Sequence, residues 1–88
     1  MMVIRYFAWL RDHTNCAHET MTCPSHVTNV QELITHLSRL SEGHRAVFAP
    51  TLAGEGEIRV AINQEFASFD DGLTDNDEVA FFPPVTGG

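Results

Sequence analysis

Asn29-Val30-Gln31-Glu32-Leu33-Ile34-Thr35-His36-Leu37-Ser38-Arg39-Leu40 is the stretch that decides the architecture. Val30, Leu33, Ile34, Leu37 and Leu40 recur at three- and four-residue spacing, which lines them up on one face of an α-helix. Asn29 suits the N-cap, where a side-chain oxygen accepts from an unpaired N–H of the first turn. Glu32 three residues later completes a capping-box-like pattern. Gly43 is the expected stop. One amphipathic helix cannot bury its stripe alone, so the flanking segments must supply a sheet for it to cross.

On the N-terminal side, Val3 to Leu10 alternates and reads as a strand. Ile4, Tyr6, Ala8 and Leu10 share one face, and Val3, Arg5, Phe7 and Trp9 share the other. Arg5 marks the second face as the less buried one, which places Phe7 and Trp9 near the surface. Arg11 to Ala17 is polar and suits a turn or loop. His18 to Cys23 alternates weakly and reads as the returning strand of a hairpin, closed by Pro24.

On the C-terminal side, Arg45 to Gly56 lacks a clear period, and Pro50, Gly54 and Gly56 make it a loop with room for a short helical turn. Glu57 to Asn63 alternates with Ile58, Val60 and Ile62 inward and Arg59 and Asn63 outward. A turn at Asn63-Gln64 leads to a short segment, Phe66 to Phe69. Asp70-Asp71-Gly72 and Asp75-Asn76-Asp77 are turn chemistry. Glu78 to Phe82 is the last strand, with Val79 and Phe81 on one face and Glu78, Ala80 and Phe82 on the other. The expected class is α+β: a mixed sheet with one main helix across it and the first and last strands adjacent and parallel. That is the β-grasp arrangement, expected as a single domain over residues 1–88.

Formal charge is -7, from twelve acidic residues against five arginines. This argues against nucleic acid or an anionic membrane as partner and for a protein with a basic surface. Lysine is absent. Met1 leads directly into an alternating run containing Arg5, so no signal peptide is expected. No apolar stretch approaches the ~20 residues of a membrane span, and the cytoplasm is the expected location. Cys16 and Cys23 are too few for a disulfide framework or an iron–sulfur ligand set.

After the last strand come Pro83-Pro84-Val85-Thr86-Gly87-Gly88. The prolines end sheet pairing and push the chain outward. Beyond them no side chain exceeds valine, and the final two residues have none, so the tail can enter a narrow channel. The group it would carry is its terminal carboxylate. With a pKa near ~3.3–3.7, that group is ionised and a poor electrophile at neutral pH. Reaction requires exchanging one oxygen for a leaving group, most simply as an acyl-adenylate. The chain holds neither GxxxxGK[ST] nor GxGxxG, so activation is expected from another protein, with no cofactor bound here.

Three segments resemble one known family: Val3-Ile4-Arg5-Tyr6-Phe7-Ala8-Trp9-Leu10-Arg11, Val60-Ala61-Ile62-Asn63-Gln64-Glu65, and Leu73 through Gly88. They are similar to the opening strand, the "VAVNQ" segment and the C-terminal signature of MoaD-like carriers in the ThiS/MoaD group of ubiquitin-like proteins. The resemblance implies a β-grasp fold and a non-catalytic chain serving a sulfurtransferase complex, molybdopterin synthase. It implies that Gly88 is adenylated with ATP by a MoeB-like enzyme and then thiocarboxylated from a sulfur-donating protein. Gly87 is implied as the thin residue giving access. Partnership is implied with a MoaE-like large subunit in a heterotetramer, through which sulfur reaches the pterin precursor, cyclic pyranopterin monophosphate.

The residue pattern adds a docking surface. Phe7 and Phe82 lie on the less buried faces of strands expected to be neighbours, and Phe66 after the Asn63-Gln64 turn extends the patch. Pro83, Pro84, Val85 and Thr86 continue it toward the end of the tail. Such a cluster marks a partner site, whereas single surface aromatics are common without a role. Other motifs carry less. Cys16-x-His18 and Cys23-x-x-His26 are packed too tightly for usual zinc spacing. His13, His36 and His44 lack partners at useful spacing. Asp70-Asp71 and Asp75-x-Asp77 lack the rest of a calcium loop, and Arg11 reads as a surface residue. Three alternatives stand beside the molybdopterin reading: a thiazole-type carrier, a ubiquitin-like protein modifier, and an interaction domain with an unreactive tail.

Overall fold

The computed structural model describes residues 1–55 and 58–84. In chain order the elements are β1 (Met2–Tyr6), α1 (Trp9–Thr14), β2 (His18–Met21), α2 (Val30–Leu37), α3 (Glu42–Leu52), β3 (Arg59–Ile62), β4 (Glu65–Ala67) and β5 (Glu78–Phe82). The strands form one sheet in the order β2-β1-β5-β3-β4. The two chain-end strands β1 and β5 pair in parallel at its centre, with Ile4 opposite Val79 and Tyr6 opposite Phe81. β2 and β3 flank them antiparallel. Asn63 and Gln64 both take positive φ, at 51° and 71°, which gives the two-residue turn between β3 and β4 the twist that hairpins favour.

The strand alternation sends Met2, Ile4, Tyr6, Val60, Val79 and Phe81 to the inner face. There they meet Val30, Leu33, Ile34 and Leu37 of α2 and Val47 and Phe48 of α3 in one apolar cluster. Tyr6, Phe48 and Phe81 form its aromatic centre, with Phe48 edge-on to Phe81 at 5.0 Å between ring centroids. Asn29 caps α2 as expected, its side chain accepting from Glu32 N–H at 2.9 Å. Glu32 reaches back one residue further than a capping box requires, accepting from the Thr28 N–H.

Four expectations are corrected. The first strand stops at Tyr6 rather than Leu10, and residues 9–14 are the helix α1. Leu10 is buried, as a period-two strand also requires, but it enters the core from a helix. The main helix ends at Leu37, leaving Leu40 exposed. Ser41 then starts a new helix, accepting from His44 N–H at 3.1 Å, and Gly43 lies inside α3 rather than ending α2. The segment expected as loop is α3. Its inward face consists of His44, Val47 and Phe48, a weak stripe that Pro50 conceals further. Pro50 lies within α3, where it forgoes the N–H that would otherwise donate to the Ala46 carbonyl.

A buried polar group joins these helices to the sheet. Glu19 Oε2 on β2 accepts from the Tyr6 hydroxyl at 2.6 Å and lies 2.8 Å from His44 Nε2. The other ring nitrogen of His44 is 2.7 Å from Ser41 Oγ. Burial, reinforced by the bond to the Glu19 carboxylate, pushes the Tyr6 phenol well above its ordinary range. Cys16 Sγ lies beside Thr14, and Cys23 Sγ beside the Val27 carbonyl. Among the described residues no three metal-capable side chains gather.

Candidate functional site

Among the described residues no helix covers the outer face of the sheet. Along β5, Glu78, Ala80 and Phe82 point to it while Val79 and Phe81 point inward. Ala61 lies opposite Ala80 across the β3–β5 pairing and opposite Phe66 across β3–β4. Two small side chains at the middle leave a shallow floor, and larger groups rise around it. Phe7 stacks on Phe82, with 4.6 Å between centroids and 11° between planes, and Phe66 meets Phe82 at 5.9 Å. The result is a groove of about 470 Å³ lined by those aromatics, Gln64 and the Arg5–Glu78 pair. Arg5 Nε and Glu78 Oε2 are 3.2 Å apart and partly exposed, so this pair sets local charge more than stability.

Phe66 is 74% exposed and Phe7 41%, large values for aromatics each already in contact with Phe82. Aromatic clusters of this kind gain more from a partner than from water. Phe82 is the hub, touching both other rings. Phe7 reaches the patch differently from the expectation. It follows β1, and its N–H still donates to Phe81 C=O at 3.1 Å, so one more residue stays in register. Ala8 then takes φ 55° and ψ −135°, a conformation that suits glycine, and the chain turns into α1. Trp9 consequently leaves the sheet face that the sequence pattern assigned to it. Pro83 is half-buried and Pro84 exposed where the chain leaves β5. Val85, Thr86, Gly87 and Gly88 lie outside the described residues.

Sequence reasoning left Ala61 and Ala80 out of the site. Their signal was alternation itself, since both fall in register with outward-facing neighbours, but small side chains rarely draw attention. At the opposite end of β5 the acids fold back on the backbone. Asp77 accepts from Thr74 N–H at 2.8 Å and from Asn63 Nδ2 at 3.0 Å. These bonds hold its carboxyl below the ordinary range, the Thr74 backbone bond most of all. Asp71 caps Ser68 N–H in the same way. These acids hold turns and leave the patch to the aromatics.

One face covered by helices, an aromatic groove on the other and a tail leaving the central strand define a ubiquitin-like β-grasp protein. The ThiS family matches residues 4–88. The chain belongs to the ThiS family. Over 34 residues it is 65% identical to the molybdopterin synthase sulfur carrier subunit of Escherichia coli strain K12. That alignment covers 39% of this chain and 42% of the relative, so it spans less than half of either protein. The structure is similar to SAMP1 from Haloferax volcanii, with a TM-score of 0.74 and 26% identity over 99% of this chain and 98% of that one. It shares its fold with a chain of the Helicobacter pylori complex of subunits 1 and 2 of molybdopterin-converting factor. There the TM-score is 0.64 at 19% identity, covering 99% of this chain and 97% of that one.

Proposed function

We propose that the protein is the sulfur-carrier subunit of a molybdopterin synthase, with the Gly88 carboxylate as the group that carries sulfur. The observation that carries this reading is the family match, which spans residues 4–88 and so includes Gly88. In the proposed sequence, a MoeB-like enzyme joins the Gly88 carboxylate to the adenylyl group of ATP, releasing pyrophosphate. Sulfur from a donor protein displaces AMP and leaves a thiocarboxylate. The thiocarboxylate sulfur then attacks cyclic pyranopterin monophosphate inside a MoaE-like large subunit; water cleaves the resulting thioester, leaving sulfur on the pterin and restoring the Gly88 carboxylate, and two such transfers build the dithiolene. The chain itself binds no cofactor and supplies no general acid or base. Its work is mechanical: Gly87 admits the terminus to a narrow channel, and the Phe7–Phe66–Phe82 groove with Pro83 to Thr86 gives the partners something to grip. Likeness to a chain found in a two-subunit complex supports a large-subunit partner, and a heterotetramer of two carriers and two large subunits follows the family pattern. The chemistry belongs in the cytoplasm, where ATP is supplied; no described helix is long and apolar enough to cross a membrane.

Intact mass is the deciding measurement. After incubation with ATP, the activating enzyme and a sulfur source, the expected gain is that of one oxygen exchanged for sulfur at Gly88. Adding the large subunit and pterin precursor should reverse it. The similarity to SAMP1 favours one competing reading, a ubiquitin-like modifier whose glycine carboxylate ends on target lysines. Amide conjugates without a mass gain on the free chain would establish that reading instead. An unchanged mass with no conjugates would leave an interaction domain.

A further inference from the structure

The strained turn at Ala8 separates two exposed aromatics that adjoin in sequence. Phe7 goes to the outer face of the sheet and stacks on Phe82. Trp9 goes to the helical side, where it is 46% exposed and its ring meets His13 edge-on. There it lines a second groove, of about 210 Å³, with Ala46, Val47 and Pro50 of α3, Ile58, and Pro84 at the root of the tail. Backbone in this region of φ/ψ is strained and persists only where the surroundings hold it. Its effect here is that the tail root, Pro83-Pro84, leaves the fold with an apolar surface on each side.

We propose that the Trp9–Pro84 groove is a second docking contact for the large subunit, taking one apolar side chain that has a lysine or arginine beside it. This rests on the sulfur-carrier reading. The groove is nearly all carbon, and its volume fits a single leucine- or phenylalanine-sized group. Among the described residues its one charged liner is Glu55, in a chain of formal charge -7, so a basic neighbour on the partner complements it. Pro84 belongs to the groove itself; a protein that stays assembled around the tail root is therefore brought against it. Lasting assembly favours the large subunit over the activating enzyme. A stable interface needs roughly 800 Å² from each side, more than a three-ring patch provides, whereas an activation encounter can be brief. Contacts on both sides of the root would also fix the direction in which the tail leaves.

The test uses the full chain and its large subunit. Ala46 is exposed on α3, so Ala46→Arg should keep the fold while filling the groove and opposing a basic neighbour. Trp9→Ala removes the anchor, and Trp9→Phe retains a ring. Affinity for the large subunit should fall roughly tenfold or more for Ala46→Arg and Trp9→Ala, and much less for Trp9→Phe. Thiocarboxylation of Gly88 by the activating enzyme should proceed at the wild-type rate in all three. The chain has a single tryptophan, so a fluorotryptophan-labelled wild-type chain gives one resonance, which should move when the large subunit is added. Unchanged affinity of Ala46→Arg with a stationary resonance would overturn the second contact while leaving the carrier function intact. A wild-type chain that neither gains sulfur nor binds the large subunit would overturn both.

Discussion

Gly43 sits where α3 comes down onto the last turn of α1, and any side chain there would overlap the main-chain carbonyl of His13. Backbone cannot step aside as a flexible side chain can, so a Cβ must push the two helices apart. Gly43→Ala should therefore lower stability by about 2–3 kcal/mol, the upper part of the range for overpacking a fitted contact. In a domain of this size that is a fall in Tm of roughly 10 °C or more. Gly72 is the control: a Cβ there meets only Thr28 O at 3.7 Å, an ordinary contact. Thermal unfolding followed by circular dichroism checks the pair. Equal midpoints for Gly43→Ala and wild type would mean that the helices do not pack this closely. The same glycine shows what local sequence conceals. It stands where a helix stop is expected after Leu40, and its actual purpose depends on His13, thirty residues earlier in the chain. Spacing patterns describe a residue's own element and say nothing about which other backbone approaches it.

Elements built on strong period and turn chemistry were legible, and elements defined by tertiary contact were not. β5 was readable at both ends because Asp77 starts it and Pro83 stops it. α2 was readable from Asn29 and its Val30, Leu33, Ile34, Leu37 stripe. α1 was not, because Tyr6, Ala8 and Leu10 also satisfy a period of two, and only the positive φ at Ala8 breaks the strand. α3 was hidden by Pro50 and by an inward face that spends one of its positions on His44, which bonds to Glu19 and Ser41. Asp77 carries a prediction at this scale, since it ties the Asn63-Gln64 hairpin to the start of β5. Its folded pKa is depressed, chiefly by the Thr74 N–H bond. Its contribution is thus complete above the unfolded value near ~3.9 and disappears as pH falls through the folded value. Asp77→Asn should lower Tm at neutral pH and should narrow the gap to wild type below about pH 4, where the wild-type carboxyl also protonates. Melts across that window decide it. A gap that stays constant with pH would mean that the charge contributes nothing.

Across the whole molecule, the position of β5 matters most. It lies between β1 and β3 with both edges paired, so the tail is rooted in the central strand of the sheet. That placement was read in the sequence as a plausible packing of parallel end strands. The aromatic patch was read too, from the alternation that put Phe7 and Phe82 on outward faces, whereas the groove behind Trp9 depends on a turn the sequence did not reveal. Patch and net charge should act on different steps of partner binding. A chain of formal charge -7 approaching a basic surface gains encounter rate, and salt screens that gain over a Debye length of roughly 10 Å at 0.1 M. Stacked rings act only after contact, by resisting separation. Phe82 is half-buried and touches both Phe7 and Phe66, so Phe82→Ala dissolves the cluster without opening the core, which lies on the other face. Measured by surface plasmon resonance against the large subunit, the variant should dissociate roughly tenfold faster or more. Its association rate should fall with added salt along the wild-type slope, because no charge has changed. If dissociation matches wild type while the fold is retained, the outer face is a bystander, and the grip on the tail must come from the helical side and the tail itself.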